Sequence, residues 1–447
     1  MPRRAATVAL VSLVAFVAAA CTGGGISIEL GSPVPSTSDD PNAGGGGVTL
    51  DVEPVQTGRS KAAAAMRELC VAPIATPTDD DGAPDQTPPE IAEVEAQVEQ
   101  VRELGFLEPV VVQPVTPEEI AAKLEDAFDE TYPRTFYDRR TVAWQTAGVI
   151  PRDVTIREAL LAFQTGQVVG FYNPVDGELV FRADGDLDLV ERVTLAHELT
   201  HAIDDQHFDL SRIDRPARTC RDEAFQAALG AVEGSAQFFS TRLLFEFPPE
   251  DGDFSGLDGG GELPEGVPPF MVDQALWPYT AGQSFVTDLD TRGGVAAIDG
   301  ALSRFPTTTE QVLHPERYPG DTPSRVDVPD LTAALGPAWG DLDVMQVGES
   351  WLDAMLSLRM EGTTAEAAAA GWDGGVYRSF TDGEDALVVF DTAWDTQGDA
   401  DAFAQAMRDW FAAGDTIGVV GGAADRRVAF AMATDHAALA TSGVGAG

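Results

Sequence analysis

Basic side chains are scarce in this sequence. Lysine and arginine number 28 against 73 aspartates and glutamates, a formal charge of -45 over 447 residues. That balance disfavours nucleic acid and anionic membrane surfaces as electrostatic partners. The acids are spread along the chain, and no DxDxDG loop marks a calcium site. Cysteine occurs three times, with no CxxC spacing to suggest thiolate ligation of zinc. The apolar run from Ala5 to Ala20 is short for a transmembrane helix. No internal repeat is evident. Histidine is rare, with five residues in the chain. What is present is an ordinary apolar content of 44 %, enough for a real core, and a length that allows two domains.

Three of the five histidines lie between His197 and His207, in LAHELTHAIDDQH. His197, Glu198 and His201 form an HExxH motif, which this composition yields by chance roughly 0.01 times per chain, so coincidence is a poor explanation. Leu189, Val193, Leu195, Ala196, Leu199, Ala202 and Ile203 recur at helical spacing and predict an amphipathic helix. Residues i and i+4 share a helix face, so both imidazoles can bind one cation. Glu198 points to the flank of that face, where it can take a proton from water beside the cation. Zinc is the expected metal. The bland alternative is a helix with two satisfied histidines and a solvated glutamate.

A catalytic zinc site needs a third protein ligand. Glu233, in AALGAVEGSAQFF on a second long helix, is favoured, because small residues beside it would let the two helices approach. His207 is the rival. Its spacing from His197 is that of HExxHxxGxxH, but Asp204 stands where glycine would turn the chain. If the helix continues, His207 lies about 15 Å further along the axis than His197 and cannot ligate. Glu223 is a weaker candidate. Asp204 or Asp205 could accept a proton from His201 and fix its tautomer, or only solvate the helix end. His314 and Tyr318, in QVLHPERYPG, are the catalytic candidates for stabilising an oxyanion, with Tyr172 as another; packing is the competing role for each.

Residues 1–20, with Arg3, Arg4 and the apolar run, are expected to be an export signal. Val17 to Cys21 resembles a bacterial lipobox, with Ala18 where leucine is usual. This predicts a lipid anchor on Cys21 at the extracytoplasmic face of the membrane; plain signal cleavage would give a secreted protein. Residues 21–90 are expected to be a Gly-, Pro- and acid-rich tether with one short helix from Lys61 to Leu69. Cys70 and Cys220 can pair in an exported protein. Ordered structure is expected near Ile91. A strand at VVVQPVT follows, then a hairpin of Gln167–Tyr172 and Glu178–Arg182, then the HExxH helix capped by Asp186 or Asp188. The strand just before that helix is expected to offer an exposed edge to an extended peptide. Helices are predicted at Glu223–Leu244, Gln274–Leu289 and Gly294–Phe305. From about Leu331 a helix over Val344–Met360 leads into a small unit of strand, helix, strand and strand.

The segments GFYNPVDGELVF, LAHELTHAIDDQHFDL and AALGAVEGSA resemble a family of bacterial, mainly actinobacterial, exported HExxH metallopeptidases or lipoproteins. TTTEQVLHPERYPG, AAGWDGGVYRSF and VVFDTAWDT extend the resemblance over roughly residues 95–400. It implies a gluzincin-like zinc site with His197, His201 and Glu233 as ligands and Glu198 as base, and no particular substrate. The expectation is an α+β protein, with a zincin-like core over 91–330 and a smaller α+β domain over 331–447. Its expected role is a zinc metallopeptidase acting on peptides or proteins. A non-catalytic zinc-containing envelope assembly module, or a zinc hydrolase of a non-peptide amide, is the alternative.

Overall fold

A computed structural model describes residues 10–11 and, apart from short gaps, 48–70, 89–125, 132–249 and 266–445, with scattered positions between the last two. Cys21, most of the expected signal and tether up to residue 47, and most of the acidic linker lie outside the described residues. Among the described residues no helix is long and apolar enough to cross a membrane.

The protein is α+β with two sheets. Strands are β1 (Leu10–Val11), β2 (Val111–Val115), β3 (Gly170–Asn173), β4 (Glu178–Arg182), β5 (Gly340–Gln346), β6 (Trp372–Thr381), β7 (Ala386–Trp394), β8 (Gly418–Val420) and β9 (Arg427–Ala433). The longer helices of the first three quarters of the chain are α1 (Ala62–Leu69), α2 (Pro89–Arg102), α3 (Arg134–Ala147), α4 (Ile156–Thr165), α5 (Leu189–Phe208), α6 (Asp222–Glu246), α7 (Pro269–Gly293) and α8 (Val295–Ser303), with the short α9 (Thr309–Leu313) after them. Three more, α10 (Glu349–Ser357), α11 (Gly362–Ala369) and α12 (Gln397–Ala412), belong to the second sheet, with α13 (His436–Thr441) at the end.

The first sheet runs β1-β3-β4-β2, with β3 antiparallel and β2 parallel to β4. The expected hairpin is therefore present, but β4, the strand just before α5, is not an edge. It is flanked on both sides, because VVVQPVT folds back beside it. The strand that addresses the HExxH helix is β3.

The second sheet is antiparallel, in the order β5-β6-β7-β9-β8. Successive residues serve opposite faces, the period-2 consequence of the pleat. Tyr377, Val388, Phe390, Phe430 and Met432 join one apolar cluster; Val376, Leu387, Val389, Ala431 and Ala433 join the other. The first face is covered by α3 and α12, through Ala143, Ala147, Phe403, Met407 and Trp410. The second is covered by α1, through Ala62, Ala65, Met66 and Leu69.

Two expectations need correction here. Part of the expected tether is packed structure: Val55 bridges Asp341, α1 is buried on the sheet, and Cys70 is disulfide-bonded to Cys220 with Cα atoms 5.8 Å apart. The second sheet thus recruits residues 48–70 and α3 to cover its two faces. The predicted helix over Val344–Met360 is also shorter. Val344 to Gln346 end strand β5, and the helix starts at Glu349 after Gly348, whose backbone is extended. Strand β6 was not anticipated. It is buried on both faces, so no polar alternation marks it.

Candidate metal centre

Helix α5 forms where the sequence places it. Asp188, not Asp186, is its N-cap: Asp188 Oδ1 accepts from the Glu191 N–H at 2.8 Å, and Glu191 Oε2 accepts from the Asp188 N–H at 3.0 Å. This reciprocal pair satisfies two of the helix's orphan donors. The helix runs unbroken through Asp204 to Phe208 and ends at Asp209 in the left-handed region, φ 56°. His207 therefore stays on the continuing helix, and its Nε2 meets the Gly105 carbonyl at 2.8 Å. It is not a ligand.

Helix α6 brings Glu233 to the HExxH face. Glu233 Oε2 lies 3.1 Å from His197 Nε2 and 3.3 Å from His201 Nε2. All three side chains are buried, and one ligand atom from each lies within 4.8 Å of the others. Burial by itself pushes the Glu233 carboxyl up, but His201 and His197 outweigh it and hold it at about 2. His201 Nδ1 is buried with no hydrogen-bond partner. A carboxylate with two imidazole nitrogens turned onto one of its oxygens, all out of water, is a donor set suited to a shared cation. These three residues could hold a metal ion.

The small residues around Glu233 act differently from the expectation. Gly230 and Gly234 face α7, not α5. A Cβ on Gly234 would fall on the Gly282 carbonyl, and one on Gly282 would fall on that of Gly230. On the α5 side, Ser235 Oγ donates to Asp204 Oδ2 at 2.7 Å, and Ala231 shares an apolar cluster with Leu199 and Ala202.

Glu198 is fully buried, and its Oε2 accepts from the Tyr172 backbone N–H on β3 at 2.8 Å. The Tyr172 hydroxyl donates to Asp205 Oδ2 at 2.8 Å. One strand residue thus anchors α5 at two points two turns apart. Burial, partly opposed by Tyr172 and the Leu210 amide, raises the Asp205 carboxyl to about 6. Neither acid after His201 bonds its imidazole: Asp204 is taken by Arg102 and Ser235, and Asp205 by Tyr172 and Leu210. The tautomer-fixing role is not observed.

The structure brings His197, Glu198, His201 and Glu233 together, and leaves the remaining candidates in contacts of their own. His314 Nε2 pairs with Glu349 Oε1 at 3.0 Å, a hydrogen bond that raises the imidazole. The Tyr318 hydroxyl donates to the Arg304 carbonyl at 2.7 Å, and its ring packs edge-on against Phe285. Glu223 accepts from the Thr309 hydroxyl at 2.9 Å and from its amide. A residue not anticipated does reach the centre. Tyr279 of α7 is buried, with its ring nearly parallel to that of His197 at 6.1 Å. No local signal in the sequence marked it, because α7 is carried in by Gly282, three residues on, against Gly230 and Gly234 of a distant helix.

Residues 337–442 match a family described as a domain of unknown function (DUF8575). The match covers β5 to β9 and α10 to α13, and none of the four clustered residues. No curated protein and no solved structure matches the chain.

Proposed function

We propose that this chain is a zinc-dependent peptidase with a zincin-like core, exported and held at the membrane by a lipid on Cys21. The observation that carries the proposal is the convergence of His197, His201 and Glu233 on one point, with Glu198 fixed beside them by the Tyr172 amide. The disulfide between Cys70 and Cys220 supports an oxidising compartment.

His197, His201 and Glu233 would hold the ion. When bound, zinc supplies Lewis acidity toward a carbonyl oxygen and toward water. Glu198 takes one proton from the attacking water as the new C–O bond forms. It returns that proton to the amide nitrogen as the C–N bond breaks, so the products are an acid and an amine. Burial of Glu198 and the bond from the Tyr172 amide keep the carboxylate in place through both transfers.

The test is hydrolysis of a mixed peptide library by the zinc-loaded protein. Turnover is expected in wild type, and loss of turnover with zinc retained in Glu198→Gln. Equal turnover in that variant would overturn the proposal.

A further inference from the structure

Besides the contacts of Glu233 with His197 and His201, α5 and α6 share a second buried polar constellation, close to the ligands in sequence. Asp204 follows His201 by three residues, and Ser235 follows Glu233 by two. Ser235 Oγ donates to Asp204 Oδ2 at 2.7 Å. Arg102 Nε of α2 donates to Asp204 Oδ1 at 2.6 Å, and its Nη2 donates to Asp299 Oδ1 of α8 at 2.6 Å. Arg102 and Ser235 are fully buried and Asp204 is 1 % exposed. The guanidinium lies 4.8 Å from the Phe239 ring centroid and 5.5 Å from that of Phe208.

Apart from the contacts of Glu233 with His197 and His201, the two helices share one apolar cluster, with residues such as Leu199, Ala202, Ala231 and Val232. Apolar contact is non-directional and does not fix how far one helix slides along the other. The slide matters here, because the ligands come from both helices. One residue of axial slip is about 1.5 Å. Metal–ligand distances tolerate only about ±0.2 Å. A buried ion pair contributes little net stability, and its best-attested use is to fix register.

We propose that Arg102, Asp204 and Ser235 are positioning residues that set the register of α6 on α5, and so set the affinity of the His197–His201–Glu233 centre for zinc. This rests on the metal-centre proposal above and adds what tunes it.

The test compares Ser235→Ala with Ser240→Ala in the full chain. Ser240 is on the same helix, equally buried, and its hydroxyl bonds only within α6, to the Gln237 carbonyl at 3.2 Å. Both variants lose one buried oxygen, and the melting temperatures of the zinc-free forms measure what each loss costs in stability alone. Zinc affinity is measured by competition with a chelator, and ligand geometry by the visible spectrum of the cobalt-substituted protein. Ser235→Ala is expected to bind zinc roughly 10- to 100-fold more weakly and to alter the cobalt spectrum. Ser240→Ala is expected to match wild type in both. Wild-type affinity in Ser235→Ala, or an equal loss in Ser240→Ala, overturns the positioning role and leaves the metal centre standing. No zinc uptake by wild type overturns both together.

Discussion

The backbone N–H of Tyr172 donates to Glu198 Oε2 at 2.8 Å, so a strand of the first sheet holds the acid of the HExxH motif. In the proposed reaction the carboxylate meets two demands from one place: it accepts this bond, and it reaches water beside the neighbouring histidines. Glu198→Asp withdraws it by one methylene. A misplacement of about 1 Å costs on the order of 10²-fold in rate. Glu198→Asp is therefore expected to keep zinc and to lose about that much in kcat on a cleaved peptide. An Asp variant with wild-type kcat would mean that the anchor at Tyr172 does not position the base.

The Cys70–Cys220 bond closes a separation of 150 residues and fastens α1 to the start of α6. A loop of this size predicts that Cys70→Ser with Cys220→Ser lowers unfolding stability by about 2–5 kcal/mol. Zinc stoichiometry should be unchanged, since no ligand lies on α1. Denaturant unfolding of the oxidised wild type beside the double variant checks this, and an unchanged midpoint would contradict it.

Glu223 is raised to about 8 by burial first, with Glu349 and Asp222 adding to the rise and the Thr309 donors opposing it. A carboxyl raised on folding makes the native state bind the extra proton. Its contribution is fully present below the ordinary value of 4.5 and is lost as pH rises through about 8. Glu223→Gln keeps an acceptor for Thr309 and cannot ionise. Relative to wild type, the variant should gain stability steadily between pH about 4.5 and about 8. Parallel stability–pH curves would show that Glu223 carries no such linkage.

The features readable from the sequence were those with local causes. His197 and His201 share a face because 3.6 residues make a turn, and the cap, left open between Asp186 and Asp188 by the sequence, falls on Asp188, with Glu191 three residues on. Glu233 was readable from its helix, but the purpose of its neighbouring glycines was not. Their partner, Gly282, is some fifty residues away. Asp204 looked available to His201, yet its charge is used by Arg102, 102 positions earlier. Residues 48–70 looked like tether because their surroundings are rich in glycine and proline. The stripe of Ala62, Ala65, Met66 and Leu69 nevertheless has the spacing of a buried helix face. Tertiary partners decided each of these, and periodicity does not encode a partner's identity.

The most direct measurement is the metal content of the purified protein beside its Glu233→Ala and His207→Ala variants. About one zinc per chain is expected in wild type and in His207→Ala, because the unbroken α5 keeps His207 on the Gly105 carbonyl. Zinc should be lost in Glu233→Ala. A wild type that takes up no zinc when it is supplied, or a site lost with His207 and kept without Glu233, would contradict the centre proposed here.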